Sequence, residues 1–129
     1  MLRYSQKDPQ WANFLVGRIH GFPMKQIGCI VTALAIILQK SPDVVLKSLL
    51  VDNCFDDNGI MDEEKVAEIL GLKFDRLPAE TVVTKPLIAE TNFWGGKHFF
   101  VVTPTEKIDT LTGEAPLHDY PIVQYLDFS

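Results

Sequence analysis

The stretch GCIVTALAIIL, residues 28–38, constrains this chain more than any other. Ile30, Ala33, Leu34, Ile37 and Leu38 follow the i, i+3, i+4, i+7, i+8 spacing of a helix face, and Val31, Ala35 and Ile36 fill most of the remaining faces. A helix apolar nearly all round is satisfied only by burial on several sides, so the spacing predicts the central helix of the domain. Its first turn carries Cys29. Unpaired backbone N–H groups at a helix start create a positive local potential, a setting that suits a sulfur nucleophile.

The rest of the chain is read around that helix. Residues 1–27 show no sustained periodicity and are expected as an irregular wrap: Asp8-Pro9 favours a turn, Trp11, Phe14 and Leu15 form a short amphipathic turn, and Gly17, Gly21 and Pro23 mark loop. Ser41-Pro42 is a cap followed by proline at the first helical position, opening a second helix through Val44, Val45, Leu46, Leu49 and Leu50. Asp56-Asp57-Asn58-Gly59 predicts a turn. A third helix over 62–70 has Glu63 and Glu64 in its first turn, Val66, Ile69 and Leu70 as its core face and Gly71 as its stop. Beyond Leu72 the apolar runs are short and bounded by Pro and Gly, which predicts strands at 73–76, 85–89, 98–102, 107–111 and 122–128, with a turn at Thr112-Gly113. Helices followed by strands give an α+β fold, the helices packed on one side of a mainly antiparallel sheet.

With 129 residues and no internal repeat, residues 1–129 are expected to form one domain. A net charge of −5 with scattered acidic residues argues against a nucleic-acid partner, because phosphate binding needs clustered Lys and Arg. The run from Cys29 to Leu38 is about half the roughly 20 residues of a membrane-spanning helix, so no membrane insertion is expected. MLRYSQKDPQ lacks the layout of a secretory signal, and localisation stays open. Two cysteines do not make a stapled scaffold, and reduced thiols are the default. Cys29, Cys54 and the three histidines lack the close paired spacing of a zinc site, so neither a metal nor another cofactor is expected.

Thiol catalysis needs a nucleophile, a base, a group that orients the base and a donor for the oxyanion. Cys29 stands at the helix start, His98 opens the apolar strand HFFVV and Asp109 lies in KIDTL. A hairpin across residues 103–106 brings the His98 and Asp109 side chains to one sheet face, where Asp109 takes one imidazole nitrogen and Cys29 the other. Gln6, with two amide donors, is the oxyanion candidate beside the Cys29 backbone N–H; Gln26, close before the cysteine, competes for that role.

Four motifs in collinear order add a resemblance. Tyr4-Ser5-Gln6 with Asp8-Pro9-Gln10-Trp11-Ala12, Gly28-Cys29 with Thr32, Gly95-Gly96-Lys97-His98-Phe99, and Ile108-Asp109 with Thr112-Gly113 together resemble the bacteriocin-processing (double-glycine leader peptidase) type of papain-like cysteine peptidases. The likeness is to stand-alone bacterial and phage members, and it covers residues 4–113. It implies a papain-like fold in which Cys29 is the nucleophile, His98 the general base and later acid, Asp109 the orienter and Gln6 the oxyanion donor. It further implies a peptide or peptidoglycan-peptide substrate, cell-wall cross-links or leader peptides, with phage structural proteins as partners if the domain rides on a virion. The chain departs from the pattern at Lys97, where the histidine usually follows Gly-Gly directly, and in the Thr-Leu after Asp109.

Each of these residues also has a plainer reading. Cys29 is a small hydrophobe that cores often bury, His98 a core histidine beside two phenylalanines, and Asp109 a turn cap. Gln6 is structural or functional with equal weight. Cys54, His20 and His118 read as structural or surface positions. Trp94 walls a substrate groove or fills the core, and Gly95-Gly96 reads as backbone that substrate approaches closely rather than a phosphate cradle, because no helix follows it. The competing function is a catalytically silent papain-like binding or assembly module that holds a peptide in the same groove, as in a virion or baseplate component.

Overall fold

The structure, a computed structural model, describes residues 2–16, 22–51, 54–55 and 61–129. The expected loop glycines Gly17 and Gly21, His20 and the turn at Asp56-Asp57-Asn58-Gly59 lie outside them.

The apolar run forms helix α2, Cys29–Leu38, and all of it from Cys29 to Ile36 is buried. It is preceded by one turn of helix, α1 (Met24–Ile27), where loop was expected. Gly28 separates the two, and a Cβ there would sit 2.5 Å from the Met24 carbonyl oxygen. Only a glycine lets the chain pass that close to its own preceding turn. At the other end Gln39 takes the left-handed conformation (φ 56°), and its side-chain amide donates to the Ile36 carbonyl at 2.5 Å. The same amide receives the Leu2 N–H and donates to the Leu2 carbonyl, so the helix end ties down the start of the chain.

Helix α3, Pro42–Val51, opens on the expected proline, and the Ser41 carbonyl accepts from Val45 N–H. Helix α4, Glu63–Leu70, is capped by the Asp62 carboxylate on Lys65 N–H at 3.1 Å and stopped by Gly71 at φ 69°. Its buried residues are Val66 and Ala67, while Ile69 and Leu70 pack at the margin of the core.

Seven strands complete the described elements: β1 Leu15–Val16, β2 Phe22–Pro23, β3 Phe74–Pro78, β4 Leu87–Thr91, β5 His98–Val102, β6 Lys107–Asp109 and β7 Gln124–Phe128. β1 and β2 make a two-residue ladder in what was expected to be irregular chain. The other five form an antiparallel sheet in the order β3-β7-β4-β5-β6. Pro78 falls in β3, an edge strand, where the missing N–H costs no ladder bond. β4 begins two residues later than expected, after Lys85-Pro86, and β7 begins at Gln124 rather than Ile122. β6 ends at Asp109, because the Asp109 carboxylate accepts Leu111 N–H and its carbonyl accepts Gly113 N–H, turning the chain out of the ladder.

The fold is α+β, and strand alternation divides its core in two. Ile88, Val101, Ile108, Leu126 and Phe128 face the helices and pack with Leu34, Ile36, Leu46, Leu49 and Val66. Leu87, Ala89, Phe100, Val102 and Tyr125 face the other way. That second face is not left to water: Tyr120, Ile122, Val83 and Leu77 cover it with loop and edge-strand residues. No single helix among the described residues is long and apolar enough to cross a membrane; α2 and residues 42–50 pass that test only as a pair bent by 112°.

Candidate active site

Three elements deliver the site. Cys29 is the first residue of α2, His98 the first of β5 and Asp109 the last of β6. The β5–β6 hairpin closes with Thr103 N–H on the Glu106 carbonyl at 2.8 Å, and its register pairs Phe100 with Asp109. His98, two residues back on the same face, is therefore the diagonal neighbour of Asp109. The contact is made: His98 Nε2 lies 2.9 Å from Asp109 Oδ1, with His98 6% and Asp109 4% exposed.

The other side of the ring meets the cysteine. Burial works against the imidazolium, but the hydrogen bonds to Asp109 and Cys29, reinforced by the charges of both groups, outweigh it and raise His98 to about 9. With Nε2 committed to Asp109, Nδ1 is the nitrogen left for the sulfur. Asp109 is over-determined in turn. Burial opposes its carboxylate, and donors at His98, Leu111 N–H and the Tyr120 hydroxyl together hold it below its usual range. The Tyr120 hydroxyl donates to Oδ2 at 2.7 Å.

Cys29 and His98 open onto a cleft of about 570 Å³, a size that accommodates a small ligand or a few residues of peptide. Ile27, Ile30, Met61 and Phe99 supply apolar wall, and Glu63 and Lys97 supply opposite charges. Of the residues expected to meet substrate, Trp94 and Gly96 line the cleft. Gly95 does not; it serves the turn beside them, at φ 82° with its N–H on the Asn92 carbonyl.

Gln6 reaches the cleft because the N-terminal segment is stitched to the end of β6. Gln6 N–H donates to the Thr110 carbonyl at 2.8 Å, Ser5 Oγ donates to the Leu111 carbonyl at 2.7 Å, and Trp11 Nε1 donates to the Ser5 carbonyl at 2.8 Å. The Gln6 amide, however, is turned toward α1. Nε2 donates to the Met24 and Lys25 carbonyls, both at 3.3 Å, and Oε1 is buried with no hydrogen-bond partner. Gln26 also lines the cleft, so both glutamines weighed from the sequence stand at the site.

Both cysteines are buried thiols, and Cys54 is not among the residues lining the cleft. Among the described residues no group of three or more His, Cys, Asp and Glu side chains gathers as a metal site would require. Sequence reasoning missed Tyr120. It sits in a loop with no motif around it, and its hydroxyl reaches Asp109 only through the packing of that loop on the second sheet face. A comparison of the chain with family models, curated proteins and solved structures gives no match.

Proposed function

We propose that this protein is a cysteine peptidase or amidase acting through Cys29, His98 and Asp109, on a papain-like frame in which the helix bearing the nucleophile packs on the sheet bearing the base. One observation carries the reading: the buried His98 ring, bonded to the Asp109 carboxylate, stands with the Cys29 thiol that helps to raise it at the wall of one open cleft. A structural histidine needs one partner; a carboxylate behind it and a thiol before it make the relay that thiol chemistry uses.

In the proposed reaction the Cys29 sulfur attacks the amide carbonyl carbon while His98 holds the proton. The carbonyl electron pair moves to oxygen, where the Cys29 backbone N–H at the start of α2 is one donor. Collapse of the tetrahedral intermediate breaks the C–N bond, and His98 gives its proton to the leaving amine. Water then adds to the thioester, losing a proton to His98, and the C–S bond breaks to release the carboxylic acid. Asp109 keeps the ring oriented and compensates its charge throughout. For Gln6 to act as the second oxyanion donor, Nε2 must leave at least one of the Met24 and Lys25 carbonyls, and its bonds to them are long enough to exchange readily.

The substrate proposed is a peptide, with cell-wall peptide cross-links ahead of leader peptides. A muropeptide digest followed by mass spectrometry separates the two. Cys29→Ala is expected to abolish turnover with the circular dichroism spectrum unchanged, and iodoacetamide to label Cys29 faster than Cys54. Undiminished hydrolysis by the alanine variant, or equal labelling, overturns the reading. The orientation of the Gln6 amide favours a second reading, a silent module that binds peptide in the same cleft; it predicts peptide binding without any cleavage.

A further inference from the structure

The aromatic residues around Tyr120 reach the site. Tyr120 packs edge-on to His98, with ring centroids 5.4 Å apart, and against Phe100 at 5.3 Å. Its hydroxyl donates to Asp109 Oδ2, while Oδ1 takes His98 and the Leu111 N–H. The Trp94 ring stands edge-on to the Tyr120 ring, with centroids 6.4 Å apart. Trp94 is 55% exposed and lines the cleft. Four side chains thus form one line from the cleft wall to the base: Trp94, Tyr120, Asp109 and His98.

We propose that Tyr120 is a positioning residue for His98, fixing the Asp109 carboxylate by its hydroxyl and the imidazole by its ring, and that Trp94 connects this support to the surface on which substrate rests. His98 and the Leu111 N–H hold Oδ1; a donor on Oδ2 as well holds the carboxylate at both oxygens and narrows the directions in which Oδ1 can face His98. Tyrosine suits the task because its hydroxyl stays a donor. Burial and the Asp109 carboxylate raise it to about 12, so it keeps its proton across the working range. A ligand pressing on Trp94 acts on the Tyr120 ring, which ties occupancy of the cleft to the alignment of the base.

For its kinetic consequence the inference rests on the peptidase reading; the positioning itself is measurable without substrate. Tyr120→Phe keeps the ring and deletes the hydroxyl. In the 129-residue variant the Asp109 carboxyl carbon, followed by NMR, is expected to titrate about one pH unit higher, the size of one lost hydrogen bond to a charge. The acid limb of the Cys29 alkylation profile is expected to move upward with it, and kcat to fall about tenfold with KM unchanged. In the unsubstituted protein the Tyr120 hydroxyl proton is expected to exchange slowly, and to lose that protection as pH falls through the Asp109 titration. An Asp109 titration and an alkylation profile both unmoved in folded Tyr120→Phe, or a hydroxyl proton that exchanges freely at every pH, overturn the inference. A shifted profile in a protein that cleaves no peptide upholds the positioning and removes the peptidase reading instead.

Discussion

His98 is the residue whose chemistry depends most on its surroundings. Lone burial would depress an imidazole; here Asp109 and Cys29 reverse the sign and carry it to about 9. A raised value means that the fold favours the charged ring. Its contribution to stability is fully present below the ordinary value of 6.5 and is lost as pH rises through about 9. The acid that protonates the leaving amine disappears over the same range, so the alkaline limb of kcat/KM is expected near pH 9. Asp109→Asn removes the first of the favourable partners. Its His98 ring, followed by NMR, is expected to titrate lower than in the unsubstituted protein, its alkaline limb to move down with the ring, and its turnover to drop about a hundredfold. A titration that stays at about 9 in this variant would show that Asp109 does not set the charge of the ring. Cys29 and His98 were legible in the sequence as residues that open patterned elements, whereas Asp109 stood inside the strand expected over 107–111 and closes β6 only in the structure. Tyr120 was not legible, since a tyrosine between Asp119 and Pro121 carries no periodicity and its partner Asp109 is distant in the chain.

At the scale of elements, the junction of α1 and α2 aims the sulfur. α2 was readable from its spacing alone, but α1 was not: four residues are too few to show a period, and Pro23 just before them reads as loop. What makes the junction possible is Gly28, whose missing side chain admits the Met24 carbonyl. Gly28→Ala places a carbon 2.5 Å from that backbone oxygen, which cannot swing aside as a side-chain tip would. The variant is expected to lose about 1–3 kcal/mol in urea unfolding, the ordinary cost of overpacking, and to lose most of its activity because Cys29 is the next residue. Full stability would show that α1 shifts freely. The hairpin of β5 and β6 is the opposite case. The sequence offered His98 and Asp109 as neighbours only on condition of a hairpin across residues 103–106; the register Phe100 to Asp109 puts them on one face as diagonal neighbours, where a slip of one residue would have parted them.

At the scale of the whole molecule, the site is assembled from chain segments far apart in sequence: Gln6 from the N-terminal wrap, Cys29 from the central helix, His98 and Asp109 from the sheet, Tyr120 from the loop behind it. The pairing of Cys29 with His98 does not persist once the sheet and α2 part. The ratio of Cys29 to Cys54 labelling by iodoacetamide is therefore expected to fall to about one across the same urea transition that abolishes helical ellipticity. A ratio that collapses well before that transition would show a site that opens locally. The apolar spacing of α2, the proline and glycine punctuation of the helices and the bounded apolar run of β5 are local properties of neighbouring residues, so the succession of α2, α3 and α4 by strands and the α+β class followed from the chain alone, while α1, β1 and β2 did not. The second core cluster, the turn of the Gln6 amide toward α1 and the Tyr120 support of Asp109 came from long-range packing. They depend on which surfaces meet after collapse, a matter of volume and unsatisfied hydrogen bonds between distant segments that no periodicity along the chain encodes.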